Sequence, residues 1–351
     1  MSIGQGANVS PLSYIGIGRE TTLGTAGSIA SQLLFLSSSM KTTKETKILE
    51  QIENSRTYSK EIKLGKTIEG DLEFYYYPES DAVNFILQNA FGGTVTSATS
   101  TGETAGGAAF THTFAIGAMD QTYKSLTLNE RKGDLTSGKV FQYSGCRVNE
   151  INFVSEIDEP LKVELSLIGM DSTVGATDFG TTLASSVLSL TALSFVNGRL
   201  SVEGTFASLT STSIWHIQSV NLGFSNSLKA DAGSRRIGSD LLTVLPPGIA
   251  SYTFSATIRF DTTTAFDAMI ANTNYSAQLE FLGNTLTTSI IRRGIRFNLP
   301  SLRIMDAGDP EIGGPDELLS SEVTFAVLRD DSSVAGYALQ AAITNSKSSY
   351  A

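Results

Sequence analysis

Residues 68–78 read IEGDLEFYYYP. Counted in twos, Ile68, Gly70, Leu72, Phe74 and Tyr76 share one face, and Glu69, Asp71 and Glu73 share the other. That period predicts a β-strand with one face on a core and one face in water. Pro78 has no backbone N–H to give and ends the ladder. The apolar face calls for further strands, and the acidic face calls for a reason.

Upstream, LLFLSSSMKTTKETKIL at 33–49 predicts one long strand. The charged stretch QIENSRTYSKEIKLGK then makes the pair an extended hairpin, not a tight one. Downstream, ESDAVNFILQNAFGG predicts a short helix. Ser80 is its N-cap, and Glu79 and Asp81 sit at the favourable end of the dipole. Val83, Ile86, Leu87 and Ala90 form its apolar face, and Gly92 and Gly93 stop it. Residues 93–109 are low in complexity and read as a loop. Strands return in HTFAIG, YKSLTLNE and KVFQYSGCRVNEINFVSEI. In LKVELSLIG, Leu161, Val163, Leu165 and Leu167 alternate with Lys162, Glu164 and Ser166.

The second half repeats that order. ALSFVNGRLSVEG carries Asn197-Gly198, a type I′ hairpin signal. IWHIQSVNLGFSNSL puts Val220, Leu222 and Phe224 on one face. The tip KADAGSRRIGSDLLTVLPPG leads to ASYTFSATIRF and then to a short helix, DTTTAFDAMIAN, with Phe266, Met269 and Ile270 inward. Strand, long tip, strand and helix thus occur twice, which predicts an internal duplication. The expected organisation is an arm at 1–30, a first domain at 31–172, a linker at 173–187, a second domain at 188–330 and an arm at 331–351. The fold class is mainly β (α+β): two tandem β units, each with a long hairpin and one short flanking helix.

Composition agrees. The 351 residues are 41% hydrophobic and only 17% charged, with 18 Phe and 11 Tyr, enough for a large β-rich core. A formal net charge of −10 argues against a surface that grips nucleic acid. The single cysteine, Cys146, excludes an intrachain disulfide. MSIGQGANVSPLS has no basic and apolar leader pattern, so export is not expected, and no apolar run predicts a membrane helix.

Chemistry is sparse. His112 and His216 lie far apart in strand-like runs, and Cys146 has no CxxC partner; each reads as a structural side chain. No nucleophile elbow, HExxH, Walker A or EF-hand pattern occurs, and the glycines of YIGIGRE do not fit a dinucleotide fingerprint. Asp306, Asp309, Glu311, Asp316 and Glu317 in DAGDPEIGGPDE could hold Ca²⁺, but a solvated turn is the reading preferred. The pairs Arg235-Arg236 and Arg292-Arg293 read as subunit salt bridges, and LLTVLPPG as an apolar protein-contact tip. No catalytic residue, metal or cofactor is expected; the pattern points to assembly.

The phrases YIGIGRETTLGTA, IEGDLEFYYYPES before a helix, and VFQYSGCRVNEINF followed by EPLKVELSLIG resemble the tail tube proteins of long-tailed bacteriophages. The resemblance covers most of residues 14–170; the second half rests on the duplication. It implies a β-sandwich or split-barrel fold with one flanking helix. It also implies stacked rings whose joined inner sheets surround a channel for double-stranded DNA as transient cargo. Two units per chain imply homotrimeric rings of pseudo-sixfold symmetry, otherwise hexamers. Glu69, Asp71 and Glu73 would face the lumen, with Thr253, Ser255, Thr257 and Arg259 as their second-domain counterparts. The tips would reach the next ring through Glu50, Arg56, Lys60, Glu61, Arg235, Arg236, Leu241, Leu242, Val244 and Leu245. Implied partners are the chain itself, the tape-measure protein, the tail terminator and the distal tail protein. The implied location is the virion tail, assembled in the host cytoplasm. Other readings are a distal tail or terminator ring protein, a membrane barrel or adhesin, and a polysaccharide-active β enzyme.

Overall fold

The computed structural model describes residues 13–52, 54–92, 95–101, 109–116, 125–133, 140–176, 185–210, 213–260, 263–286, 290–308, 319–330 and 336–349. The first half contributes β1 (Tyr14–Glu20), β2 (Ser31–Leu33), β3 (Ser37–Ser38), β4 (Lys41–Ile48), β5 (Glu61–Tyr75), α1 (Asp81–Phe91), β6 (Thr96–Thr99) and β7 (Phe110–Ala115). It continues with β8 (Ser125–Arg131), β9 (Val140–Glu156), β10 (Lys162–Gly169) and β11 (Asp171–Ala176). After the short α2 (Ser185–Leu188) come β12 (Gly198–Glu203), β13 (Ile214–Trp215), β14 (Ile217–Ser225), β15 (Ser251–Arg259) and α3 (Thr264–Ile270). The chain ends in β16 (Asn274–Thr285), β17 (Arg292–Asp306), β18 (Ser320–Leu328) and β19 (Gln340–Asn345).

The fold is mainly β and all strand pairs are antiparallel. One sheet runs β4, β5, β10, β9, β14, β15, β18, β17 in spatial order. The N-terminal part of β9 leaves it to pair with β8 and β11, and β8 in turn carries β1 and then β2. In the same way the N-terminal part of β17 carries β16 and β19, with β12 on the outside of β16. Each long strand therefore feeds two layers, and the core lies between them. Among the described residues the sheets do not close into a barrel. Phe74, Tyr76, Phe153, Phe254, Phe281 and Phe297 are among the largest fully buried side chains.

Helix α1 sits inside this core. Ser80 caps it through Val83 N–H, Gly92 ends it in the left-handed region at φ 63°, and residues from Ala82 to Phe91 are buried on nearly every face. The buried asparagines on this helix serve backbone groups. Asn84 donates to the Ser80 carbonyl, and Asn89 accepts from Val148 N–H at 2.9 Å. That second bond lies beside a bulge in β9, where the register against β10 slips between Ser166 and Leu167.

Several elements differ from the sequence expectation. The 33–49 run is broken into β2, which pairs with β1, and β3 and β4, which pair with β5; between β3 and β4 the Met40 backbone lies against Gly70, where a Cβ would come within 2.5 Å of Met40 Cα. Asn197-Gly198 makes no I′ turn. Asn197 closes a 3-10 turn by accepting from Ser194 N–H, Gly198 is extended at φ −82°, and β12 pairs with β16 instead. Helix α3 buries Ala265 and Ala268, while Phe266 and Ile270 are exposed and only Met269 packs inward as expected.

The segments expected as arms also supply strands. β1 pairs with β8, and β19 fills the space between β17 and β7. β11, at the start of the expected linker, pairs with β9. Most of that linker, 177–184, lies outside the described residues. Pairings also cross the midpoint of the chain: β14 adds to β9, and β7 adds to β19.

Candidate functional site

The acidic face of the opening strand is open. Along β5, Ile68, Leu72 and Phe74 are buried, while Glu69 and Asp71 are exposed and Glu73 is half-buried. Antiparallel pairing carries each position straight across to its neighbours on the same face. Asp71 faces Ser166, Ser166 faces Glu150, and Glu150 faces Ser225. Glu73 faces Glu164, then Asn152, Gly223 and Thr253. Further along, Glu156 faces Ser219, Thr257 and Glu322. The sequence singled out Glu69, Asp71, Glu73, Thr253, Ser255, Thr257 and Arg259, and the register lays all of them on this one face.

It also adds residues not singled out: Glu150, Glu156, Glu164 and Glu322, with Lys162 and Asn152. Their signal was present, since NEINFVSE and LKVELSLIG alternate as IEGDLEFY does. What the sequence lacked was the neighbour relation between strands far apart in the chain.

Cations on the face are few, and most are engaged; Arg303, opposite Ala326, is exposed on it. Lys162 holds Glu164 at 2.6 Å. That hydrogen bond, with Glu164, Glu73 and Glu156 nearby, raises its pKa above the ordinary lysine value. Lys41 lies 4.0 Å from Glu69, and Arg259 meets His216 Nδ1 at 3.3 Å. Hydroxyls and amides fill the rest: Ser37 donates to Glu73 at 3.1 Å, Asn152 to Glu150 at 3.1 Å, and Ser219 to Thr257 at 2.9 Å. The first half of the face is thus acidic and the second half mostly hydroxylated.

The tips behave differently from each other. The β4–β5 hairpin projects, with Glu50, Arg56, Lys60 and Glu61 exposed beside exposed Ile48, Ile52, Tyr58, Ile62 and Leu64. The 226–250 segment instead folds back on the first half as a strap. Leu242 and Leu245 are buried against Met170, so the apolar tip expected to reach outward is spent inside the chain at these two positions. Arg235 donates to the Asp240 carbonyl and to Thr67, Lys44 pairs with Asp240 at 3.2 Å, and Arg147 donates to the Leu245 carbonyl at 2.8 Å. Leu241 is half-buried, and Arg236 and Val244 remain exposed.

The remaining candidates are structural. Cys146 is fully buried, and burial first, then Glu20, pushes its thiol far above the ordinary range. His112 is buried between strands. Its Nε2 lies 2.8 Å from the Lys347 carbonyl and so carries the proton, leaving Nδ1 to accept from Ser97 at 2.7 Å. Among the described residues, no group of three or more His, Cys, Asp or Glu could hold a metal ion. Asp309, Glu311, Asp316 and Glu317 lie outside the described residues.

A family model described as phage tail tube protein matches residues 11–327. The chain belongs to the phage tail tube protein family. As a tail tube protein it is a structural component of the virion tail. No helix among the described residues is long and apolar enough to cross a membrane. No curated protein matches the sequence.

Proposed function

We propose that this tail tube protein forms stacked rings around an axial channel, and that the face built on Glu69, Asp71 and Glu73 is the channel wall. The single observation that carries this reading is the continuous sheet from β4 to β17, buried on one face and lined on the other by carboxylates and hydroxyls. Such a wall repels phosphate and offers few cationic contacts, so double-stranded DNA slides and is not held. Passage of DNA during ejection is its work, and no catalytic step belongs to it.

The two halves act as equivalent tube units. β5, α1, β9 and β10 of the first correspond to β15, α3, β17 and β18 of the second. Three chains then make a ring of pseudo-sixfold symmetry. The exposed β4–β5 hairpin, with Glu50, Arg56, Lys60 and Glu61, reaches the next ring, and Arg236 and Val244 add to that contact. The tape-measure, terminator and distal tail proteins are the remaining partners.

Negative-stain electron microscopy of the purified protein tests the reading. Rings or tubes with an axial hole are expected. A particle that stays monomeric at high concentration overturns it.

A further inference from the structure

The β4–β5 hairpin leaves the body of the protein with little support of its own. Every residue of β4 is exposed, and so are Glu61, Ile62, Lys63 and Leu64 at the start of β5. A two-stranded ribbon without a covered face is marginally stable in water. β10 supports the second edge of β5 only as far as Gly169, opposite Ile68. Beyond that point the ribbon also bends. Lys44 faces Lys66 and Thr46 faces Lys63, so Leu64 and Gly65 together oppose Glu45, and β5 carries a bulge at the root of the hairpin. A bulge kinks the strand that holds it.

The 226–250 strap meets the hairpin at that bulge. It lies between β14 and β15, and so holds the place in chain order that the projecting tip holds between β4 and β5. Where β10 stops, Lys66 N–H donates to the Asp240 carbonyl at 2.8 Å. Arg235 donates through Nη1 to the same carbonyl at 2.8 Å and through Nη2 to Thr67 Oγ1 at 3.3 Å. Its guanidinium covers Gly65 so closely that a Cβ there would overlap Nη1. Lys44, on the other strand, pairs with the Asp240 carboxylate at 3.2 Å. The strap is itself anchored. Leu242 and Leu245 are buried beside Met170, Arg147 donates to the Leu245 carbonyl, and Thr243 N–H closes the loop onto the Ser234 carbonyl at 2.9 Å. An anchored loop that touches both strands at a bend fixes the angle of what lies beyond it.

We infer that the strap is a brace: the second half of the chain holds the hairpin of the first half in its projecting direction, and Arg235 is the positioning residue. The brace works within a single chain and does not rest on the ring reading. It gives the inward turn of the apolar run at 241–245 a purpose, since Leu242 and Leu245 seat the loop that carries Arg235 and Asp240.

Gly65→Ala separates this role from ordinary strand stability. Gly65 has no positive φ, so alanine fits its backbone. In a strand without a brace, that change leaves the ribbon as firm or firmer. With the brace, the new methyl expels the guanidinium and the hairpin loosens. The readout is the distance between spin labels on Ile48→Cys, at the outer end of β4, and Ile157→Cys, just past β9, in the full chain held dilute and unassembled. Both sites are exposed, and buried Cys146 takes no label. One narrow distance is expected for the chain that carries only the labels. Arg235→Ala and Gly65→Ala are each expected to broaden it. The double variant is expected to be no broader than Arg235→Ala alone, because the two changes remove the same contact. Amide exchange in 46–48 and 61–64 should accelerate several-fold in each variant, with β9 and β10 unchanged. A distance already broad without the variants, one that stays narrow in either single variant, effects that add in the double variant, or acceleration that spreads equally through β9 and β10 overturns the proposal.

Discussion

At the scale of single residues, side chains that look chemical serve different ends. Glu20 is buried, yet it receives Ser125 and Thr127 hydroxyls and the Gly145 and Gly24 amides. Four donors on one carboxylate satisfy a group that would otherwise be costly to bury. It locks β1 to β8 and β9, which gives the first phrase of the family resemblance a structural reason. Glu69, Asp71 and Glu73 have the opposite character. They are open, and few cations stand near them. Reversing all three to Lys is expected to leave the β5 core face intact, because Ile68, Leu72 and Phe74 are untouched. Tubes should still form, while DNA ejection slows and becomes salt-dependent as phosphate contacts are created. Ejection in phage carrying the reversed residues measures this. Unchanged ejection from intact tubes would place these residues elsewhere.

At the scale of elements, the alternating strands were legible and their partners were not. A period of two in IEGDLEFY, LKVELSLIG and NEINFVSE specifies which side chains share a face, and the Ser80 cap and Gly92 stop bound α1 as expected. Long-range choices carry no such local mark. Gly70 admits Met40 backbone at a break in a predicted strand, and Asn197 prefers its own turn to a hairpin. The apolar run at 241–245 reads as a contact tip, but its Leu242 and Leu245 fill a hollow beside Met170 that only the fold creates.

The strand β19 shows the same limit. Its sequence reads as a tail, but it lies between β17 and β7 and is clasped by His112, Asn345 and the Lys347 carbonyl. Burial is the main cause holding the His112 pKa below the ordinary histidine value, against bonds to Lys347 and Asn345 and the charge of Glu79. A depressed folded pKa favours the fold fully above the unfolded value, about 6.5, and the contribution is lost as pH falls through the folded value. Amide exchange in β19, corrected for intrinsic rates, is expected to accelerate as pH drops below about 6.5. His112→Gln should remove that dependence. Protection that stays constant with pH in the unmodified chain would contradict this role.

At the scale of the whole molecule, the halves share an order of pairings and differ in surface. The first half lines the open face with Glu69, Asp71, Glu73, Glu150, Glu156 and Glu164; the second offers Thr253, Ser255, Thr257 and Glu322 with Arg259. The proposed ring of three chains would alternate between acidic and hydroxylated sectors along its wall. The two faces of the sheet were readable from alternation, and the joining of two halves into one sheet was not, because β9 and β14 are separated by a long intervening sequence. The most direct measurement is a helical reconstruction of the assembled tube by cryo-electron microscopy. The account predicts Glu69, Asp71, Glu73 and their second-half counterparts on the wall of the axial channel, with the helix α1 layer outside. A tube in which that face lies on the outer surface, or is buried between rings, would contradict it.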